Sequence, residues 1–245
     1  MKPPRPLFRV FLRSFSVQGS WNFETMIGFG FGHALLPLLR SLHRERPDAL
    51  REAVGRHSGF FNSHPYLAPL ALGAVARLEA ERQPPQLIER FKTAIRGALG
   101  GIGDQLVWAG WRPVCTLAAL ALLLLGAPWW LGVATFLLLY NAGHLGLRWW
   151  SFTVGWTDSL RLAATLRSSW IWRAERVLHR AGPFLVGLVI VVLAGRGVGG
   201  EAGGAVALTV AAAAAIGAAA GQAARRPLEV ALLLLVLVGF LWSGR

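Results

Sequence analysis

One cysteine, Cys115, is all that the 245 residues contain, which excludes an internal disulfide framework and any CxxC metal or redox pair. A lone thiol inside an apolar run packs as a small hydrophobe. The N-terminus has arginines but lacks an apolar core of roughly 7–15 residues closed by a small-residue cleavage site, so no signal peptide is expected and insertion relies on internal segments. Also missing are a P-loop, a nucleophile–base–acid set and a metal-ligand cluster. The chain is therefore not expected to be an enzyme on its own or to hold a metal or cofactor. Acidic residues are scarce, 12 against 25 lysines and arginines, giving a formal charge of +13. No internal repeat stands out.

Apolar residues, by contrast, make up 54% of the chain, and the mean hydropathy is +0.48. A soluble domain of this length could not bury so much apolar surface, so the composition predicts an all-α, polytopic membrane protein. The clearest hydrophobic runs cover residues 114–140, interrupted by Gly126, Ala127 and Pro128, then 183–195, 205–221 and 228–242. A membrane helix needs about 20 residues, so 183–195 and 228–242 must borrow from their flanks. Arginines gather at positions 5, 9 and 13, at 40, 44, 46, 51 and 56, at 161, 167, 173, 176 and 180, and at 225 and 226. Clusters flanking hydrophobic segments are the pattern of positive-inside loops and of contacts with anionic lipid headgroups. The aromatics lie within apolar runs rather than interleaved with a solvated basic patch, so nucleic acid is not an expected partner.

Residues 1–110 are amphipathic and glycine-rich, and residues 114–242 hold the plain hydrophobic runs, with a polar link at 79–85 dividing the first part. Segments 26–42 and 59–78 are moderately apolar yet carry His33, Pro37, Asn62, His64 and Pro65. Such interruptions are tolerated at membrane depth only where protein or water satisfies the freed backbone groups. They predict broken or re-entrant helices in the N-terminal half, against plain transmembrane helices in the C-terminal half. The alanine-rich run 205–221 suits close helix packing, and 195–204 reads as a short turn.

Four constellations carry chemistry. In the first, Trp21, Asn22 and Glu24 stand together at the entrance to an apolar segment. Asn and Glu could accept sugar hydroxyls while Trp covers an apolar sugar face, or the group simply starts a helix with an interfacial tryptophan. In the second, FFNSHPY at residues 60–66, Asn62 and His64 precede Pro65. Proline leaves carbonyls free, which Asn and His could join in holding a polar ligand; a capped kink is the alternative. His57 and His64, seven apart without further ligands, do not form a metal site.

The third is GALGGIGDQLVWAGWRP at residues 97–113, which places Asp104 and Arg112 inside an apolar, glycine-broken stretch. Each charge costs roughly 2.5–3.5 kcal/mol at the bilayer centre, so it survives when paired or when lining a wet cavity. Gly100, Gly101 and Gly103 allow close approach, and Trp108 and Trp111 offer stacking faces. The two readings are a polar site and an Asp104–Arg112 ion pair that orders the segment, although eight residues separate the pair by two turns of a straight helix. No strand precedes the glycines, so they are not a dinucleotide fingerprint. In the fourth, Asn141, His144 and Arg148 follow i, i+3, i+7 spacing and form one polar stripe, with Trp149 and Trp150 beside it. A snorkelling helix end accounts for Arg148, but not for Asn141, which lies nearer the apolar interior.

In this order the four stretches resemble the IID subunit of the mannose/fructose/sorbose family of the bacterial phosphoenolpyruvate-dependent sugar phosphotransferase system (PTS). The resemblance rests on FLRSFSVQGSWNFETMIGFGF, RHSGFFNSHPYLAPLALGAVARLE, GGIGDQLVWAGWRPV and LLLYNAGHLGLRWW followed by Gly155 and Trp156. It covers residues 8–160. It implies a family core over residues 1–160, including a helical hairpin at 114–150, and, together with the C-terminal transmembrane helices expected over 161–245, one family domain overall.

The resemblance further implies a permease subunit that pairs with a IIC subunit in the inner membrane and works with soluble IIA and IIB components, which carry the phosphoryl group on histidines to a translocated hexose. Assembly as a trimer of IIC/IID pairs is implied in the same way. The family motifs fall on Gln18, Ser20, Trp21, Asn22, Glu24, Asn62, His64, Pro65, Gly101, Gly103, Asp104, Trp108, Arg112, Pro113, Asn141 and Arg148. Asn22, Glu24, Asn62, His64, Asp104, Trp108 and Asn141 are the candidates for lining a sugar pathway, whereas Trp21, Gly101, Gly103, Arg112, His144 and Arg148 are candidates for structure and coupling. The chain departs from the family pattern at His144, usually arginine, at Trp149 and Trp150, where the second residue is usually tyrosine, at Gln105, usually proline, and in the short stretch between its late spans. The short late stretch and His144 motivate a second expectation, a non-transporting scaffold or regulator that senses the phosphorylation state of a IIB-like partner.

Overall fold

The structure is a computed structural model and describes residues 6–197. The runs 205–221 and 228–242 lie outside the described residues, as does most of 195–204. Regular structure among the described residues is helical, apart from two isolated backbone bridges, Asn22 with Met26 and Met26 with Phe61. The chain divides into two compact units. Among the described residues, one comprises 6–105 with 142–171, the other 106–141 with 172–197.

In the first unit, α1 (Pro6–Arg13) is strongly amphipathic and packs on α2 (Gly28–Leu42). Helices α3 (Pro47–Ser58), α4 (Ala68–Ala80) and α5 (Pro85–Gly103) follow, each with proline in its first turn, where a missing N–H costs nothing. Helix α4 is apolar apart from Arg77 and Glu79 near its C-terminal end and buries all but Arg77 and Ala80. A helix without a polar face belongs in a core. Phe31, Leu35, Phe61, Leu67, Ile88, Leu99 and Leu162 of the same unit are also nearly inaccessible.

Two glycines set the approach of the long helix α7 (Trp129–Asp158) to α4. A β-carbon on Gly73 would stand 2.3 Å from the Phe152 carbonyl oxygen, and one on Gly155 would stand 2.0 Å from that of Leu70. The helices meet backbone to backbone, as small residues allow in membranes. Beyond α7 come a short 3-10 turn (Ser159–Arg161) and α8 (Leu162–Ser168).

The second unit holds α6 (Arg112–Leu124), the first part of α7, and α9 (Ile171–Gly197) apart from its first residue. The expected interruption at 126–128 is present: α6 ends at Leu124, Gly126 turns the chain with φ of 96°, and α7 begins at Trp129. Two helical stretches, Pro85–Leu124 and Trp129–Leu193, are long and apolar enough to cross a bilayer.

One sequence expectation needs correction. Segment 26–42 is not broken at Pro37: α2 runs through it. Pro37 cannot donate to the carbonyl of His33, and the Arg13 guanidinium donates to that oxygen instead, at 3.3 Å. The run starting at Pro183 borrows from its flank as expected: α9 begins twelve residues earlier and keeps the proline in its interior. At about 1.5 Å per residue, 27 residues exceed the roughly 30 Å of a hydrocarbon core. The glycine-broken stretch is helical throughout. Helix α5 continues through Gly100, Gly101 and Gly103 into a π-helical turn, Asp104–Trp111, before α6. Pro113 has no N–H for the Ala109 carbonyl, which makes this a natural place for a wider turn.

Candidate functional site

The first two constellations are joined through their backbones. Ile27 donates to the Phe61 carbonyl at 3.1 Å and Phe61 donates to that of Thr25 at 3.1 Å. Met26 sits between them with φ of 55°, a conformation rare for a non-glycine residue. Asn22 makes this turn: its Oδ1 accepts from the backbone N–H groups of Glu24 and Thr25 at 3.0 and 2.8 Å, and its Nδ2 donates to Thr25 Oγ1 at 2.8 Å. Its amide therefore shapes the loop. Glu24 is exposed, and the exposed Trp21 packs edge-on against Phe23 with ring centres 4.8 Å apart.

The second constellation meets the third at one contact. His64 is buried, its Nδ1 accepts from the Tyr66 backbone N–H at 3.1 Å, and its ring covers Gly103. A β-carbon on Gly103 would lie 2.2 Å from His64 Cβ and 2.3 Å from Cγ, so glycine is required there. Gly101 has open space above it. Asn62 and Asp104, each near this contact in sequence, are both exposed.

The fourth constellation closes the cluster from α7. His144 stacks on Tyr66 with ring centres 4.1 Å apart, and Tyr66 stands edge-on to His64 at 5.2 Å. Arg148 is buried. Its Nε donates to His144 Nε2 at 2.7 Å, one of its terminal nitrogens donates to the Ser14 carbonyl at 2.8 Å, and its guanidinium lies over the rings of Phe15 and Tyr66 at 4.8 and 5.0 Å. Because it accepts at Nε2, His144 is a neutral imidazole here with its proton on Nδ1. Arg148 is thus a buried pillar, not the snorkelling helix end that spacing allowed.

Other candidates sit elsewhere. Arg112 lies over the Trp108 ring at 4.8 Å. Asp104 makes no ion pair among the described residues, so the ordering ion pair weighed from sequence is not formed. Asn141 is exposed and donates to the Leu137 carbonyl at 2.8 Å, one turn back on its own helix.

Sequence reasoning missed a second polar group. Glu79 is buried and one carboxylate oxygen, Oε1, accepts from Arg56 and from His57 Nε2, both at 2.8 Å. Lys92 donates to the Arg56 carbonyl at 2.9 Å and to Glu89 at 3.0 Å. Burial raises the pKa of Glu79, but the hydrogen bonds from His57 and Arg56 outweigh it and bring it down to about 2. Burial, with the nearby cations, holds His57 below its ordinary value against the opposing bond to Glu79. The one available signal was a glutamate within the apolar stretch that forms α4, and it lay in what the sequence marked as a linker.

The family pattern of PTS system mannose/fructose/sorbose family IID components matches residues 4–195. The mannose-specific EIID component of Escherichia coli K12 is 30% identical over 186 residues, which cover 74% of this chain and 65% of that protein. The fructose permease IID component of Bacillus subtilis 168 is 30% identical over 193 residues, 76% of this chain and 68% of the relative. Thus the chain spans about two thirds of the length of these relatives. A cryo-electron microscopy structure of the mannose transporter ManYZ with microcin E492 contains a chain that matches with a TM-score of 0.61 and 29% identity, covering 78% of this chain and 70% of that one. Continuous similarity across all four constellations, on an all-helical fold with membrane-length helices, places this chain among the IID components of the mannose/fructose/sorbose PTS family.

Proposed function

We propose that the chain is the IID half of a sugar permease, pairing with a IIC subunit in the inner membrane and translocating a hexose that a IIB partner phosphorylates. The observation that carries this reading is the convergence of separate motifs on the His64–Gly103 contact, with Tyr66, His144 and Arg148 behind it. That packing fixes two accessible polar residues, Asn62 and Asp104, on rigid backbone. Sugar recognition needs oriented acceptors and apolar faces rather than strong acids, and Asp104 suits an acceptor's part. Glu24, Asn141 and Trp108 are further candidates for the sugar path or for the IIC-facing surface. Phosphoryl transfer belongs to partner histidines, so this chain contributes binding and positioning.

The test is co-expression with a IIC subunit and assay of phosphoenolpyruvate-dependent hexose phosphorylation in the presence of the soluble partners. Asp104→Asn is expected to lower the rate while leaving IIC association intact. An unchanged rate would remove Asp104 from the pathway.

A second reading, a non-transporting scaffold that senses the phosphorylation state of a IIB-like partner, draws support from His144. As a neutral acceptor to Arg148 it adds no positive charge to the cluster. Phosphorylation-dependent partner binding without sugar uptake would select this reading.

A further inference from the structure

The sequence places arginines 9 and 13 in one cluster and 40 and 44 in another, separated by the turn that Asn22 organises. The fold brings the two clusters together. Arg9 and Arg13 project from α1, Arg40 from the last turn of α2 and Arg44 from just beyond it, and all four line a single cleft of about 490 Å³ with Pro6, Pro37 and Ser41. No carboxylate lines this cleft, and none of the four makes an ion pair among the described residues. Arg13 places one N–H on the His33 carbonyl freed by Pro37, which anchors its guanidinium at the cleft.

Four guanidinium groups around one concavity repel each other, and an anion placed among them removes that cost. Guanidinium presents its donors as a planar fork that matches phosphate oxygens bidentately. The cations of a helix C-terminus explain Arg13 and Arg40 individually, but not the gathering of both pairs around one space. From this we infer that the α1–α2 cleft is a binding site for a phosphate group, distinct from the His64–Gly103 cluster. The adjoining surface indicates a source: Phe8, Leu12 and Phe15, at i, i+4 and i+7, are 60%, 51% and 40% exposed, forming an apolar ridge beside Arg9 and Arg13. An amphipathic helix with this arrangement lies in the membrane interface, where its basic residues meet lipid phosphates.

The experiment uses the full chain purified in a neutral detergent. Native mass spectrometry is run with equimolar phosphatidylglycerol and phosphatidylcholine, and calorimetry with inorganic phosphate and with hexose 6-phosphate. The wild type is expected to retain phosphatidylglycerol at least tenfold over phosphatidylcholine. Arg9→Gln with Arg13→Gln, and separately Arg40→Gln with Arg44→Gln, should abolish that preference, while Arg51→Gln, whose arginine pairs with Asp48 on an exposed helix face, should keep it. Saturable binding of inorganic phosphate or hexose 6-phosphate, lost in the same double variants, would support the site and assign it a soluble ligand instead. Arg40→Lys, which keeps the charge and removes the fork, should weaken binding several-fold and separates recognition from misfolding. A wild type that shows neither a lipid preference nor saturable phosphate binding, or equal retention by both double variants, would overturn the inference. So would capture of acidic peptides together with indifference to phosphate.

Discussion

The imidazole of His64 occupies the space that a β-carbon on Gly103 would need, 2.2 Å from His64 Cβ. Because the clash involves the root of the side chain rather than its flexible end, Gly103→Ala should destabilise the protein by roughly 1–3 kcal/mol, the usual cost of overpacking. Gly101→Ala, with nothing within 4 Å, should be neutral or stabilise by up to about 1 kcal/mol through helix propensity. Thermal unfolding in detergent distinguishes the two. Adding His64→Ala to Gly103→Ala should recover part of the loss, and strictly additive effects would contradict the packing described.

Gly73 and Gly155 make the equivalent prediction for the α4–α7 crossing. Alanine at either position would drive a β-carbon to within 2.3 Å of an opposing carbonyl oxygen. Each substitution should lower stability by about 1–3 kcal/mol. Combining them should cost less than the sum, since one separation of the helices relieves both clashes.

Acid should destabilise the first unit in two stages through the His57–Glu79 pair. His57 has a folded pKa below its ordinary 6.5, so the unfolded chain takes up its proton first, and stability present above pH 6.5 falls as pH drops below that value. Glu79 is depressed from 4.5 to about 2, so its contribution is intact above pH 4.5 and is lost as pH falls through about 2. Melting temperature measured from pH 7.5 to pH 4 should therefore decline from about pH 6.5 downward. Glu79→Gln should be less stable at neutral pH, because it leaves the partly buried Arg56 guanidinium beside a neutral amide.

Much of the helical fold was legible in the sequence, because hydrophobic runs and proline-marked starts report on a helix locally. The break at 126–128 and the link before Pro85 fall where punctuation placed them. The error at Pro37 has a physical cause: proline removes a hydrogen bond, but whether the helix ends depends on what else reaches the freed carbonyl. For Pro37 that group is Arg13, twenty residues from the carbonyl it serves. The meeting of His64, Gly103, His144 and Arg148 is also non-local. Motif spacing identified the residues, yet only the fold shows that Asn22 shapes a turn and that Arg148 is buried. The Arg56–His57–Glu79 group stayed hidden because its partners come from different helices.

Arg148→Met should be among the most damaging single changes on α7. It leaves the Ser14 carbonyl and His144 Nε2 without their donor, at a cost of roughly 1–3 kcal/mol for each buried unsatisfied group. Arg148→Lys keeps the charge, but one ammonium cannot reproduce the two separated donors, so recovery should be partial. His144→Leu should cost less than Arg148→Met, because one bond is lost rather than two. Chemical unfolding of the three variants provides the ranking, and a more severe effect of His144→Leu would contradict it.

The central claim is that this chain forms part of a sugar path whose chemistry lies on its partners. Proteoliposomes holding the chain with a IIC subunit, supplied with phosphoenolpyruvate and the soluble components, test it through the release of labelled hexose phosphate. The account predicts phosphorylated product only when both membrane subunits are present, with Asp104→Asn reducing the rate and Gly101→Ala preserving it. Product formation by IIC without this chain, or none with any hexose from the intact pair, would contradict it.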